Sequence, residues 1–283
     1  MNQIVFTTES PSDVNKDLAE KYGFGIIPLH VNLDGVDYND GETISAAEIL
    51  DAFQTKKILP NTSAVSIAEY ADFFQKYLDQ GKTVIHIALS SGISSTYQNA
   101  CIAASDLDSE GRLFIVDSKT LTQSAALLMY KGAALAEEGM AATDIIRALE
   151  ELIPKLEKTF LIPSLEFMRH GGRCSSTEAL GANLLKIKPL IELVDGKMAI
   201  AQKFRGADLK AYKDYLDSRL TDVEVDPEYL CISHVLVDDS VLSELVTYAK
   251  KTYHFEQVVI SPCGCVITAH GGKGALAFSF LKA

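Results

Sequence analysis

The chain has 283 residues, 47% apolar and 23% charged, with 26 Lys and Arg against 38 Asp and Glu for a net charge of −12. This length has room for two cores, and this composition excludes a disordered or fibrous chain. The acidity excludes nucleic acid as the main partner, because phosphate contacts need clustered base, and no apolar run approaches the ~18 residues of a membrane span.

Gln3–Thr7 reads as a strand, and the sequence MNQIVFTTES lacks the basic and apolar regions of a signal peptide, so a cytosolic protein without integral membrane association is expected. Ser12 is positioned to cap a helix running to Tyr22 and stopping at Gly23. Gly25–Leu33 reads as a second strand, turned at Asp34-Gly35 into a hairpin arm. Ser45–Glu48 and Ser66–Glu69 have capping-box spacing and open helices. The second puts Tyr70, Phe73, Phe74, Tyr77 and Leu78 on one core-facing stripe. Residues 57–65, with Pro60 and Asn61, read as the least structured span. Strands at Thr83–Leu89 and Leu113–Val116 alternate with helices at Ser95–Ser105, Gln123–Glu138 and Thr143–Glu157. This alternation predicts an α/β fold with a mostly parallel sheet and flanking helices.

After Thr159 the pattern changes. Phe160–Pro163 reads as a strand, Ser164–Arg173 as a short helix, and Lys188–Val194 with Met198–Phe204 as a hairpin across Asp195-Gly196. Helices at Ala207–Leu220 and Asp238–Tyr253 alternate with strands at Tyr229–His234 and Gln257–Ser261. Val266–Phe280 reads as a strand interrupted by His270–Gly274. This is a second, smaller α+β domain, which sets the expected division at residues 1–160 and 161–283. The first part carries 12 basic and 23 acidic side chains, the second 14 and 15, with 9 basic against 5 acidic between Glu166 and Lys213. A basic region within an acidic protein suits an anionic ligand or an acidic protein partner.

In an open parallel sheet, ligands bind beyond the carboxyl ends of the strands. Here those loops carry hydroxyls: Thr7, Thr8 and Ser10; Ser90, Ser91, Ser94, Ser95 and Thr96; Ser118 and Thr120; Thr62 and Ser63. Hydroxyls and helix N-terminal amides suit an anion, although each of these residues alone would serve as an ordinary helix cap. The first turn has no glycine, and no stretch matches G-x-x-x-x-G-K-[ST], so a small anionic head such as a carboxylate is favoured over a nucleotide. No cofactor is expected. A serine hydrolase using Ser94 and His270 is the competing class: two HGG stretches, at His170 and His270, are similar to the oxyanion loops of lipases, but G-x-S-x-G is absent. The five cysteines, Cys101, Cys174, Cys231, Cys263 and Cys265, are expected to be free thiols with no metal bound.

The strings TESPSD at 8–13, IPLHV at 27–31, NTSAVS at 61–66, LSSGISSTYQ at 89–98, VDS at 116–118, GGR at 171–173, KIKPL at 186–190, KFRG at 203–206 and HGGKG at 270–274 together resemble the DegV family. The resemblance implies two α/β domains holding a long-chain fatty acid in a tunnel between them. It also implies a role as the acyl-binding subunit of a bacterial fatty acid kinase, with phosphoryl transfer by a separate kinase subunit. By motif, Thr62 and Ser94 would hold the carboxylate, His270 would approach from the C-terminal loop, and Arg173 would support them. Ser63, Ser91 and Ser95 are secondary candidates, and Arg205 would face the partner. The chain departs from the family pattern at Glu9, Ser95 and Lys273.

Overall fold

The computed structural model describes residues 4–107, 109, 111–173 and 187–283. Strands β1 (Ile4–Glu9), β2 (Gly25–Ile27), β6 (Thr83–Ala88) and β7 (Leu113–Asp117) form a parallel sheet in the order β2-β1-β6-β7. Helices α3 (Ile67–Leu78) and α4 (Thr96–Asp106) cover one face, while α5 (Thr122–Glu137) and α6 (Ala142–Leu152) cover the other. The two-residue alternation of β6 explains the split: Val84 and His86 turn toward α3, and Ile85 and Ile87 toward α5.

The second sheet has six strands in the order β10-β9-β8-β13-β11-β12. They are β8 (Thr159–Leu161), β9 (Lys188–Val194), β10 (Lys197–Phe204), β11 (Tyr229–His234), β12 (Gln257–Pro262) and β13 (Leu276–Ser279). The pair β11 and β12 is parallel and the other pairs are antiparallel. Helices α8 (Asp208–Leu220) and α9 (Asp239–Tyr253) cover one face. Helix α5 packs between the two sheets, against Phe6 and Ile85 of the first and Tyr229 and Cys231 of the second. That double burial explains why Ala125–Tyr130 in its middle is apolar without interruption. A small antiparallel sheet, β4 (Val36–Asn39), β3 (His30–Leu33) and β5 (Asn61–Ser63), packs with α2 (Ala46–Lys56) into the same core as α3.

Several local expectations change. Asn15, not Ser12, caps α1 (Lys16–Tyr22), its side chain accepting the Leu18 N–H at 3.2 Å, while Ser12 closes a 3₁₀ turn. The strand expected over 25–33 breaks after Ile27, where Pro28 has no N–H to give a ladder. The span 57–65 contains β5, which pairs with β3 and so draws its order from a distant strand. Helix α6 follows Ala141 rather than a Thr143 cap, and ends at Leu152 two residues before Pro154. Residues 265–271 form helix α10 (Cys265–Gly271), not a strand. The β-branched Val266, Ile267 and Thr268 favour a strand locally, but the Asp40 carboxylate accepts the Cys265 N–H at 2.5 Å and fixes a helix start from 225 residues away. Among the described residues, no helix is long and apolar enough to cross a membrane.

Candidate functional site

A cavity of about 370 Å³ opens where the carboxyl ends of the parallel strands face the second sheet. Pro11 follows β1, the Leu89–Ser95 loop follows β6, and Leu121 and Thr122 follow β7. The opposite wall is Phe160 of β8, Met198 of β10, Leu276 and Ala277 of β13, and Val266 and Ile267 of α10. Most of this lining is apolar, and the volume falls within the ~300–1,000 Å³ of small-molecule sites.

All of the candidate ligand residues line this one cavity: Thr62, Ser94, His270 and Arg173, with Ser63, Ser91 and Ser95. Thr62 on β5 and His270 at the end of α10 meet, Oγ1 to Nε2, at 3.0 Å across 208 residues of chain. His270 Nδ1 is buried and has no partner among the described residues. The imidazole lies against Gly171, where a Cβ would come within 1.9 Å of Nδ1, so only glycine fits there. Arg173 donates from Nη1 to the Gly171 carbonyl at 2.5 Å and holds the same turn. Burial, with the positive charge of Arg173 and His170 nearby, pulls His270 down to about 4, so the ring is neutral at pH 7.

A neutral ring carries one proton. On Nδ1 it would be a buried donor without an acceptor, the costlier of the two orphans. On Nε2 it is donated to Thr62 Oγ1, which frees the Thr62 hydroxyl proton for the cavity. Ser94 Oγ accepts the Thr96 N–H at 3.2 Å and also keeps its own proton. Among the described residues, Ser95, at the start of α4, makes no side-chain cap hydrogen bond, so the first amides of that helix are not capped by it. Spare donors at one end of an apolar cavity call for an acceptor, and a carboxylate fits.

The other candidates sit further out. Ser91 is exposed, and its hydroxyl accepts from Lys119 Nζ at 3.0 Å. Arg205 is exposed just past β10 and is not part of the cavity wall. Among the described residues a nucleophile–base–acid chain is not assembled: His270 Nε2 faces Thr62 rather than Ser94, and Nδ1 meets no carboxylate.

Residues that sequence reading passed over do the positioning. Glu9, fully buried, accepts from Tyr70 Oη at 2.5 Å and from the Leu89 N–H at 3.0 Å, and lies 3.2 Å from His86 Nε2. It thus fixes the start of the hydroxyl-bearing loop after β6. Asp13 accepts the Gly264 N–H at 2.8 Å, and Asp40 accepts from Ser10 Oγ at 2.8 Å as well as from Cys265, so two acids hold the start of α10. Burial pushes both carboxyls up. Cys101, Cys231, Cys263 and Cys265 are free, and Cys174 lies outside the described residues. Burial pushes the Cys231, Cys263 and Cys265 thiols up, which makes them poor nucleophiles. Among the described residues, no three His, Cys, Asp or Glu side chains are grouped to hold a metal ion.

The family model described as an uncharacterised DegV family protein matches residues 3–283. A DegV domain-containing protein of Clostridium acetobutylicum is 32% identical over 282 residues, covering 100% of this chain and 99% of that one. A DegV family protein from Thermus thermophilus, described as fatty-acid binding, superposes with a TM-score of 0.87 at 26% identity, covering 99% and 100% of the two chains. A stearic-acid-binding protein from Eubacterium ventriosum superposes with a TM-score of 0.83 at 25% identity, covering 100% and 98%. The chain belongs to the DegV family.

Proposed function

We propose that this DegV family chain binds a long-chain fatty acid in its cavity, with the carboxylate on Thr62, Ser94 and His270 and with Arg173 in support. The observation that carries the reading is the neutral Thr62–His270 pair at one end of a mostly apolar cavity. Each methylene that leaves water contributes roughly 0.8 kcal/mol, so a sixteen-carbon chain gains on the order of 10 kcal/mol before ordering costs. The hydroxyls and imidazole then fix which end of the chain is held. The fatty-acid binding of the similar Thermus and Eubacterium proteins supports the same ligand class.

The reading has a second part. The protein acts in the cytoplasm as a carrier rather than an enzyme, with residues 1–160 and 161–283 as its two domains. It presents the acyl carboxylate to a separate kinase subunit, which forms the acyl-phosphate. Arg205, exposed at the end of β10, belongs to the surface that meets this partner. The test of the first part is mass spectrometry of small molecules released from the denatured protein, followed by titration of the delipidated protein with fatty acids. A stoichiometric acyl chain and saturable rebinding are expected. Exhaustive extraction that yields none, with no rebinding, would sink the reading.

A further inference from the structure

The cavity is polar at a second place. Thr122, the first residue of α5, lines it together with Ser233 of β11 and Cys263 just beyond β12. Thr122 is 5% exposed, and among the described residues its hydroxyl has no partner. Its backbone sits at φ 52°, a conformation that β-branched residues seldom adopt. Ser233 is 1% exposed and accepts the Gln123 N–H at 3.3 Å, while among the described residues nothing accepts its own proton. Two hydroxyls with free donors thus interrupt a wall of Leu89, Leu121, Leu276 and Ala277. A plain methylene chain gives such groups nothing in exchange for their lost water, and valine or alanine would suit it better.

Cys263 precedes His270 by seven positions, most of them in α10. At the helical rise of ~1.5 Å per residue this separates it from the His270 end by about 10 Å. Ser233 is close to Cys263, because the neighbouring His234 accepts the Cys263 N–H at 2.8 Å. A chain with its carboxylate at His270 therefore passes these hydroxyls at its middle.

We propose, resting on the fatty-acid reading above, that Thr122 and Ser233 form a subsite for an oxygen carried mid-chain, so that a long-chain fatty acid with a mid-chain hydroxyl is the preferred ligand. A site built to hydrogen-bond a hydroxyl rejects the analogue that lacks it, because its own polar groups are then left unpaired.

The experiment is a competition titration of the delipidated protein with octadecanoate and with octadecanoates hydroxylated next to the carboxylate, at mid-chain, or at the far end. The mid-chain compound should bind about tenfold tighter than octadecanoate, and the other two should not. In Thr122→Val, and separately in Ser233→Ala, the ratio of the two affinities should collapse toward one. The position series on the wild type stands even if a variant fails to fold. Octadecanoate binding with a flat series would overturn the subsite alone. Failure of every compound to bind would overturn the fatty-acid reading and the subsite with it.

Discussion

His270 should leave a signature in the pH dependence of folding. The side chain titrates at about 4 in the folded protein against an ordinary 6.5, because burial and the charge of Arg173 oppose the imidazolium. Between these two values the unfolded chain binds the extra proton and the folded chain does not, so stability rises with pH across the window. The contribution is fully present above pH 6.5 and is lost as the pH falls toward 4. At 1.36 kcal/mol per unit, that gap amounts to about 3 kcal/mol. Asp13 and Asp40 work in the opposite direction: their carboxyls are pushed up by burial, so they favour the fold at low pH and lose that advantage as pH rises through their folded values. The wild-type slope is therefore a sum, and the informative quantity is the difference from His270→Gln, in which those acids cancel and an amide replaces the imidazole beside Thr62. Urea unfolding of the delipidated proteins, at matched m-values from pH 4 to 7, measures it. The difference should grow by about 3 kcal/mol from the acid end to the neutral end. A bound carboxylate should flatten this dependence, since it favours the charged ring. Parallel curves for wild type and His270→Gln without ligand would refute a buried neutral imidazole.

Thr62→Ala and Ser94→Ala should each weaken fatty-acid binding by ~1–3 kcal/mol, the worth of a hydrogen bond to a charged group; unchanged affinity in the double variant, measured by titration, moves the head group elsewhere. Gly171→Ala puts a Cβ within 1.9 Å of His270 Nδ1, so the ring must move: a shifted His270 resonance and at least tenfold weaker binding are expected, and an unmoved resonance contradicts the packing. Arg205→Ala should leave fatty-acid affinity intact but slow acyl-phosphate formation by the proposed kinase partner, more at low salt than at high salt; equal turnover across that range removes Arg205 from the proposed docking surface. Thiol titration under denaturant should count all five cysteines of the chain, and elemental analysis should find no stoichiometric zinc.

Much of the fold was legible because its signals are local. Capping boxes at Ser45 and Ser66, the aromatic stripe on α3 and the hairpin turn at Asp195-Gly196 each depend on residues a few positions apart, and all stand where expected. The hydroxyl loops were legible for a similar reason: strand ends locate them, and in a parallel sheet strand ends locate a crevice. What escaped was everything built across the chain. Nothing near residue 265 shows that Asp40 starts a helix there. Glu9 stands between Thr8 and Ser10 with nothing local to mark its role, yet Tyr70, His86 and Leu89 enclose it, and no spacing rule joins those four. Thr122 and Ser233 read as an ordinary helix start and an ordinary strand residue until β11 is laid beside α5.

The Asp40 contact is one of several long-range contacts that meet on α10, which explains how a seven-residue helix can set the geometry of the head group. Its start is held by Asp13 and Asp40, two acids of the first half, and by the Cys265 thiol donating to the Ile44 carbonyl at 3.2 Å. At Gly264 a Cβ would fall within 2.7 Å of Asp40 Oδ1, so the acid reaches the backbone only because no side chain intervenes. The far end of α10 carries His270, which meets Thr62, again a residue of the first half. A helix of the second half is thus pinned at both ends to the first, while its middle, Val266 and Ile267, lines the cavity. An isolated helix of this length is not stable in water, so its form depends on these attachments. The cavity wall and the imidazole are therefore positioned by one element, and that element is held in part by contacts that join the two halves.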